Sequence, residues 1–300
     1  MQLQFNNRNL LIYTCLLCKS DNIYIVGRKV EGNKERQTAV CKNCGLIYRK
    51  LEKKESYIST NYYQKSEPDQ NNLQKGYNRG IEIEQWISDT LLDNGFNKQT
   101  KVLDIGSGHG GVLKKIHELH GCDILGVEPD TSFAKYASEK MGVPTINSDF
   151  EEVKIEGKFD IVIMSHSIFC FKSPDVILLK VKSILIEGGI LFISIGDYYH
   201  PKKFGGLENY LFKSYVLYYF SMKTMSRLLN KCGLSLLETE KKNGEVKFLA
   251  RKETYSALAP DDLSENWMKV VFLLKLYDYK SFAFRIVRKM LYMVKIFGRQ

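Results

Sequence analysis

The sequence has too few cysteines and too little continuous apolar chain for two large classes of protein. Seven cysteines in 300 residues, an odd number, argue against a disulfide-built secreted scaffold. The first residues have no basic start and no small-residue cleavage site, so we expect no secretory signal peptide. No run approaches the roughly 18 apolar residues that a membrane-spanning helix needs. We therefore expect a cytoplasmic protein, and 44% hydrophobic with 26% charged residues predict a folded one.

Positive charge is unevenly distributed along the chain. The formal net charge is +10, with eleven Lys/Arg against five Asp/Glu in residues 1–60 and eight against two in residues 265–300. The segment between them is slightly acidic, which argues against a protein whose whole surface binds nucleic acid. The sequence contains no internal repeat and no low-complexity segment, so each basic end needs its own explanation.

Four segments of the chain differ in character. Residues 1–50 contain cysteines and strand-like runs, residues 51–98 predict a helical linker or lid, and residues 253–300 return to helix. Residues 99–252 alternate strand and helix patterns, which predicts a doubly wound α/β sheet. The predicted strands there are Lys101–Ile105, Asp123–Val127, Val143–Asn147, Phe159–Met164 and Ile190–Ile195, and a hairpin of Leu234–Glu240 and Val246–Arg251 around Asn243-Gly244.

Two CxxC pairs, Cys15 with Cys18 and Cys41 with Cys44, flank a hairpin-like segment. A CxxC pair directs two thiolates at one tetrahedral ion and two pairs complete its coordination, so the spacing predicts a zinc ribbon over residues 1–50. With four protein ligands, the zinc would be structural rather than catalytic. Four free thiols or two disulfides are the alternatives. The other cysteines lie in apolar contexts, where small buried side chains are the simpler interpretation: Cys122, Cys170 and Cys232.

A glycine loop follows the first strand of the α/β segment, in Val102-Leu103-Asp104-Ile105-Gly106-Ser107-Gly108-His109-Gly110-Gly111. Glycines let the backbone approach a ligand closely, and the start of the next helix offers free N–H groups and a positive dipole end. Taken alone, this loop also satisfies the fingerprint of a dinucleotide site. Its neighbours along the chain therefore decide which cofactor it favours.

Acidic residues at three successive strand ends favour a cationic adenosyl ligand. Asp104 precedes the loop and would repel a pyrophosphate but attract a cationic amino-acid group. Glu128, followed by Pro129, ends the next strand and can accept both hydroxyls of a ribose. Asp149 and Phe150 follow the third strand, where a carboxylate and an aromatic ring can hold an adenine.

With these motifs in order, residues 77–252 resemble the class I S-adenosylmethionine-dependent methyltransferases. The resemblance continues at Lys158–Met164 and Leu185–Leu191, and it implies a seven-stranded Rossmann-like sheet that ends in the antiparallel hairpin. It also implies roles for individual residues. Asp104, Gly106 and Gly108 would contact the methionine part of the cofactor, Glu128 the ribose, and Asp149 and Phe150 the adenine, while Ser107, Pro129 and Ser165 complete the predicted cofactor site.

Together with the cysteine unit, the chain resembles a narrower subgroup of these enzymes from bacterial sugar and polysaccharide biosynthesis. His166, in Ser165-His166-Ser167-Ile168-Phe169, matches a histidine that the subgroup has after the fourth strand. C-methylating members also have a Glu-His pair just before a Tyr-Phe-Ser run. Here Tyr215 and Val216 occupy the places of that pair, so the resemblance implies methylation of a sugar hydroxyl rather than of carbon.

Methyl transfer is an in-line displacement in which positioning supplies most of the rate, and a hydroxyl acceptor also benefits from a base. The candidate base is His166, with the alternative that it only shapes the cofactor pocket; Tyr198 and His200 follow the fifth strand and would line the acceptor site. No Asn/Asp-Pro-Pro-Tyr motif is present, which argues against methylation of exocyclic or amide nitrogen of that type, and no Pro-Cys nucleophile is present, which argues against methylation of cytosine carbon. An RNA methyltransferase and a non-catalytic adaptor are the alternatives.

The C-terminal segment has a basic amphipathic pattern. Residues 281–299 place five Lys/Arg side chains on one arc of a helical wheel and apolar side chains on the opposite arc. Such a helix would either lie on an anionic membrane surface or pack its apolar face on protein, including a second subunit. The first interpretation predicts peripheral membrane contact through residues 265–300, and it suits a small-molecule or lipid-linked sugar as the acceptor. Nucleic acid is the less favoured partner.

Overall fold

A computed structural model describes residues 14–31, 34–50, 70–91, 96–198, 207–213, 215–253 and 264–276, and the chain divides into two compact units. The first unit takes its chain from Met1–Glu55, Asp197–Thr224 and Asp262–Gln300. The second is formed by Ser56–Gly196 and Met225–Asp261. The sequence pattern does not associate residues 197–224 with the cysteine-bearing residues, so this grouping is new information from the structure.

The first unit contains a four-stranded antiparallel sheet. β1 (Ile23–Glu31) and β2 (Lys34–Cys41) form a hairpin between the two CxxC pairs, and β3 (Ile47–Lys50) pairs with β2. A fourth strand, β9 (Tyr218–Tyr219), comes from much later in the chain and pairs with β3. The order is β1-β2-β3-β9, so the sheet of the cysteine-bearing segment is completed by residues from the first unit's middle segment.

Hydrogen bonds from buried polar groups fix the middle segment of the first unit against β2 and β3. Thr38 donates through Oγ1 to the carbonyl of Leu211, the last residue of a short helix (Leu207–Leu211), at 3.2 Å. The backbone N–H of Arg49 donates to the carbonyl of Leu217 at 2.8 Å, and the Arg49 guanidinium donates to the carbonyl of Lys213. Because backbone groups buried away from water need partners, these bonds specify where the segment runs.

The second unit is built on a seven-stranded sheet, as predicted. Its strands are β4 (Lys101–Ile105), β5 (Asp123–Glu128), β6 (Thr145–Asn147), β7 (Phe159–Ser165), β8 (Leu185–Gly196), β10 (Leu234–Lys242) and β11 (Glu245–Lys252), in the order β10-β11-β8-β7-β4-β5-β6. β4 to β8 are parallel, whereas β11 is antiparallel to both β8 and β10. The predicted hairpin is confirmed, with Asn243 and Gly244 at φ 53° and 76° in its turn.

Helices cover the sheet at the positions that apolar periodicity predicts. They are α1 (Gln70–Leu91), α2 (Gly111–His120), α3 (Thr131–Glu139), α4 (Pro174–Ile184) and α6 (Met222–Lys231), the short helix in the first unit being α5. α1 begins ten residues before Gly80, where the apolar helical pattern of the sequence (Ile81, Ile83, Trp86, Ile87) starts. The main core of the unit includes Ile83 and Ile87 of α1, Leu113 of α2 and Phe192 of β8, all fully buried.

α1 packs unusually close to α2, and glycines make this possible. A Cβ on Gly80 would lie 2.9 Å from the carbonyl oxygen of Val112, and one on Gly111 would lie 2.9 Å from Cα of Gly76. Side-chain carbon at these places would push the helices apart. The contact fixes the segment of α1 between Gly76 and Gly80, which carries Arg79, relative to the glycine loop that leads into α2.

Two further predictions concern the ends of the chain. Among the described residues, no helix is both long enough and apolar enough to cross a membrane. Residues 267–276 form a helix, but the predicted basic amphipathic helix over residues 281–299 lies outside the described residues. Its contact with a membrane or with protein, and the cytoplasmic location, therefore stay predictions.

Candidate active site

The glycine loop joins β4 to α2 at the carboxyl edge of the sheet. Gly106 and Gly108 both have left-handed backbone conformations, with φ of 81° and 55°, which L side chains rarely adopt. The N–H of Gly106 donates to the carbonyl of Val127 on β5 at 2.8 Å. A Cβ on Gly106 would lie 2.9 Å from Cβ of Ser167, so the loop needs glycine for space as well as for conformation.

Four buried polar atoms in or beside this loop have no hydrogen-bond partner among the described residues. They are Oδ1 of Asp104, Oγ of Ser107, Nε2 of His109 and Oγ of Ser167. Asp104 is only 2% exposed. Burial and then the charge of Glu128 raise its pKa to about 7, against the opposing effect of Arg79. Because an orphaned buried carboxylate is costly, a ligand with a cationic group and hydrogen-bond donors fits this place.

Glu128 ends β5 next to the loop and is held by two backbone donors. The N–H of Gly108 donates to Oε2 at 2.8 Å, and the N–H of Asp130 donates to Oε1 at 2.9 Å. Burial raises the pKa of Glu128. Each carboxylate oxygen can accept a further bond, so the residue suits the paired hydroxyls of a ribose. The next residue, Pro129, leads into the Asp130 N-cap of α3.

The residues predicted to hold an adenine differ in exposure. Asp149 is exposed at the surface after β6, whereas the ring of Phe150 is buried. Lys180 of α4 fixes this segment, since its ammonium lies 4.5 Å from the ring centre of Phe150 and donates to the carbonyl of Val153 at 2.6 Å. Phe150 therefore belongs to a rigid support, and Asp149 is the more accessible of the two for a ligand.

His166 follows β7 and is held in a specific place by main-chain and side-chain contacts. Its φ of 58° is uncommon for a residue with a side chain, and its N–H donates to the carbonyl of Ser194 at 3.0 Å. Nε2 lies 2.8 Å from Oε1 of Glu245, the first residue of β11, and the imidazole is 49% exposed. His166 is therefore anchored at one nitrogen while half of its side chain remains accessible.

Arg79 of α1 connects this histidine to the sheet. Its guanidinium donates to both carboxylate oxygens of Glu245, at 2.5 and 2.9 Å, and to the hydroxyls of Ser165 and Ser194, at 3.1 and 2.7 Å. Burial would raise the pKa of Glu245, but the hydrogen bond from His166 and the charge of Arg79 outweigh it and lower that pKa to about 2. We call these five residues the His166 cluster.

Family comparison agrees with the glycine loop and the strand order. Residues 77–239, more than half of the chain, match the family model described as "Methyltransferase domain". The chain belongs to this methyltransferase family. S-adenosylmethionine is its methyl donor, and the cationic amino-acid group of this molecule fits the buried carboxylate of Asp104 and its unpartnered neighbours. A search of curated protein sequences found no match.

The chain is also similar to solved structures of methyltransferases. One is the plantazolicin methyltransferase BpumL with a monoazolic desmethylPZN analog and SAH, at 14% identity and a TM-score of 0.50, covering 62% of this chain and 91% of that chain. Another is a possible histamine N-methyltransferase from Thermotoga maritima, at 19% identity and a TM-score of 0.47, covering 61% and 95%. A complex of the Haloferax volcanii Trm112 methyltransferase activator with a methyltransferase matches at 15% identity and 0.48, covering 63% and 100%.

Two residues of the His166 cluster, Arg79 and Glu245, are missed by the sequence pattern. Arg79 lies on the polar part of α1, and Glu245 follows the hairpin turn, so neither stands in a recognisable motif. A signal for Glu245 was nevertheless present. β11 is antiparallel to β8, and Glu245 pairs with Gly196 at the end of β8. The first residue of β11 therefore had to lie at the same edge of the sheet where the parallel strands end.

Other predicted residues of the methyltransferase lie elsewhere or outside the described chain. Ser165 is a member of the His166 cluster, where its hydroxyl lies 3.2 Å from that of Ser194. Tyr198 lies two residues after β8, in the first unit, and is 1% exposed. His200 lies outside the described residues. Val216 is buried in the first unit, and Tyr219 of the following run donates to the carbonyl of Tyr210 at 2.8 Å.

The four cysteines of the two CxxC pairs come together in the first unit. Their sulfur atoms all lie within 4.8 Å of one another, with 3.3 Å between Cys15 and Cys44 and 3.4 Å between Cys18 and Cys41. Hydrogen bonding with Cys41 raises the pKa of Cys15, while bonds from Cys15 and Cys44 lower the pKa of Cys41. Because four thiolates this close repel one another, a bound cation is needed to keep all four cysteines ionised.

Proposed function

We propose that this methyltransferase transfers a methyl group to a hydroxyl oxygen of a sugar in a bacterial surface-polysaccharide or related glycan pathway. The observation that carries the proposal is His166, a half-exposed imidazole at the carboxyl end of β7 that is anchored to the partly buried carboxylate of Glu245. An alcohol is a weak nucleophile that benefits from a base placed to remove its proton, whereas a neutral amine can attack through its lone pair without losing a proton first. The sugar itself is supported by the resemblance to the subgroup with an N-terminal four-cysteine unit.

Different residues bind the methyl donor and remove the acceptor proton in the proposed reaction. Asp104 holds the cationic end of the donor, and Glu128 holds its ribose. S-adenosylmethionine supplies a methyl group on a positively charged sulfur. His166 takes the proton of the acceptor hydroxyl as its oxygen attacks in line, and the buried surroundings of the loop keep the donor in one orientation. Tyr198 and His200 remain proposed as acceptor-site residues.

C-methylation is not supported by the residues at the subgroup's Glu-His position. Abstraction of a proton from carbon needs a strong, well-placed base. The chain has Tyr215 and Val216 there, and Val216 is an apolar side chain buried in the first unit. The oxygen of a sugar is therefore the acceptor atom that we propose.

We also propose that the four-cysteine cluster binds one structural zinc ion. Four thiolate ligands leave no open coordination position for a substrate or water, so the ion would stabilise the fold rather than take part in methyl transfer. Three of the four cysteines are fully buried. Metal analysis of purified protein should give one zinc per chain.

The test uses methyl-labelled S-adenosylmethionine with three acceptor sets in parallel: nucleotide-linked sugars, lipid-linked saccharides, and total tRNA and rRNA. We expect label on a sugar, and NMR of the product should show a methyl ether. His166→Gln should lower kcat about 100-fold, whereas the control His117→Gln, on the exposed face of α2, should not.

Other outcomes of this test would overturn the proposal. A methyl group on carbon would contradict O-methylation, and labelled RNA would replace the sugar by nucleic acid. Binding of S-adenosylhomocysteine without transfer to any acceptor would favour the adaptor. Titration calorimetry with S-adenosylhomocysteine, with NAD as the control ligand, separates that case from a protein that binds no cofactor.

A further inference from the structure

Glu245 is placed to control the histidine rather than only to pair with an arginine. Its carboxylate accepts two hydrogen bonds from Arg79, and Oε1 also accepts from Nε2 of His166 at 2.8 Å. The Glu245 side chain is only 17% exposed. The carboxylate is therefore held from one side by a bidentate guanidinium and presents its remaining acceptor position to the imidazole.

The contact fixes the position of the histidine proton. An ionised carboxylate can only accept hydrogen bonds, so Nε2 of His166 must carry the hydrogen that lies between the two groups. The neutral imidazole then has its lone pair on Nδ1. With Nε2 anchored and the backbone N–H of His166 bonded to the carbonyl of Ser194, the ring has one defined orientation.

We propose that Glu245 is a positioning residue for methyl transfer: it holds His166 as the Nε2–H tautomer with Nδ1 facing the acceptor, and Arg79 holds Glu245 in turn. The inference deepens the proposed function and rests on it. As the hydroxyl oxygen forms its bond to the methyl carbon, the methyl–sulfur bond breaks and its electron pair stays on sulfur. The hydroxyl proton moves to Nδ1, and Glu245 stabilises the resulting imidazolium, which releases the proton to solvent.

A purely structural ion pair between α1 and β11 is the competing explanation, and the chain offers a matched control for it. Glu82 of α1 also accepts from Arg79, at 3.0 Å, and from Lys247 of β11, at 2.7 Å. It joins the same two elements but does not contact His166. Glu82→Gln therefore weakens the connection between α1 and the sheet and leaves the histidine's partner in place.

The first experiment reads the protein alone, without any acceptor. Selective ¹⁵N labelling of histidine rings, at a pH where the rings are neutral, distinguishes Nε2–H from Nδ1–H tautomers, and His166→Gln assigns the signal among the five histidines. We expect the Nε2–H form in the wild type and in Glu82→Gln, and a mixture of tautomers in Glu245→Gln. An unchanged spectrum in Glu245→Gln would overturn the inference whatever the acceptor proves to be.

The second experiment measures catalysis once an acceptor is in hand. Glu245→Gln should lower kcat about 100-fold with little change in KM for the acceptor or in affinity for S-adenosylhomocysteine. In the His166→Gln background it should have no further effect, because the two residues act as one unit. Additive losses, or an equal loss in Glu82→Gln, would show a structural role instead. If His166→Gln itself is fully active, the proposed base is wrong, and the tautomer result still stands on its own.

Discussion

The four-cysteine cluster and the His166 cluster differ in how they are assembled from the chain. Each CxxC pair contributes two thiols from neighbouring residues, and the two pairs lie within 30 residues, as Cys15 and Cys44 are 29 apart. The His166 cluster instead combines α1, β7, β8 and β11, with 166 residues between Arg79 and Glu245. The four-cysteine cluster therefore depends mainly on residue spacing within a short segment, whereas the His166 cluster exists only after the sheet has formed.

This difference predicts where a single substitution acts most strongly. Substitution in a site formed by residues close in sequence should disrupt the structure around that site. Substitution in a site assembled by the sheet should reduce binding or activity while the fold remains intact. The following three changes test the contrast, beginning with the one for which we expect the largest effect.

Cys44→Ser should produce the largest loss, because it removes one of the four proposed zinc ligands and the free energy of metal binding is part of the free energy of folding. We expect loss of bound zinc and destabilisation of the first unit by roughly 5 kcal/mol or more. Metal analysis and hydrogen exchange of residues 34–50 are the measurements. Cys232→Ala, at a buried cysteine outside the cluster, is the control and should keep one zinc per chain. Retention of zinc by Cys44→Ser would contradict the assigned ligand set.

Asp104→Asn should abolish most cofactor affinity while leaving the fold intact. We expect S-adenosylhomocysteine to bind about 100-fold more weakly by calorimetry, since the amide no longer attracts the ammonium group. Asp160→Asn is the control, because Asp160 at the opposite end of the sheet only accepts from the N–H of Lys101. Equal affinities in the wild type and Asp104→Asn would mean that the carboxylate does not contact the ligand.

The same carboxyl group predicts two opposite effects of pH. Its pKa is raised to about 7 in the unliganded protein, so protonation favours the folded state. Stability without ligand should therefore fall as pH rises from about 4 towards 7. Affinity for S-adenosylhomocysteine should rise over the same upper range, because the ammonium needs the ionised carboxylate. Calorimetry in buffers of different ionisation enthalpy should detect proton release near pH 7, and Asp104→Asn should remove it.

Gly80→Ala should have the smallest effect of the three. The added Cβ would lie 2.9 Å from the carbonyl oxygen of Val112 and 2.8 Å from Cβ of Lys115. We expect this crowding to lower the free energy of unfolding by about 1–3 kcal/mol, and the higher helix propensity of alanine to offset part of that loss. Thermal unfolding compared with Asn78→Ala, an exposed change on the same helix, measures it. No destabilisation would show that α1 can move away from α2, and the position of Arg79 would then depend on its hydrogen bonds alone.

Much of the second unit could be predicted because each strand has a recognisable pattern within its own short segment of sequence. Lys101–Ile105 is a short apolar run that ends at a glycine loop, and the structure gives the same bounds. The turn at Asn243-Gly244 requires left-handed residues, which marks the hairpin before any tertiary contact is known. The glycine loop and the acids at strand ends likewise depend on short-range order, so the proposed cofactor site can be named from the sequence.

The parts that were not predicted depend on distant contacts. The first turns of α1 are polar and exposed, so apolar periodicity begins only near Gly80 although the helix begins at Gln70. β9 has two residues, too few for any alternation to be visible, and it forms because β3 offers an edge. Arg79 and Glu245 are ordinary surface-type residues in sequence. Their importance arises from the pairing of β11 with β8 and from the close contact between α1 and α2.

The strand β9 affects which parts of the gene can be transferred, or the chain truncated, without breaking up the cysteine-bearing sheet. The chain passes between the two units four times, at residues 55/56, 196/197, 224/225 and 261/262. An exchange of genetic material at the first boundary, 55/56, therefore cannot transfer the cysteine-bearing sheet whole, because β9 and the carbonyls of Lys213 and Leu217, which accept from Arg49, would stay behind. The cysteine-bearing sheet is thus encoded in two distant stretches of sequence, and residues 1–50 expressed alone would lack its fourth strand.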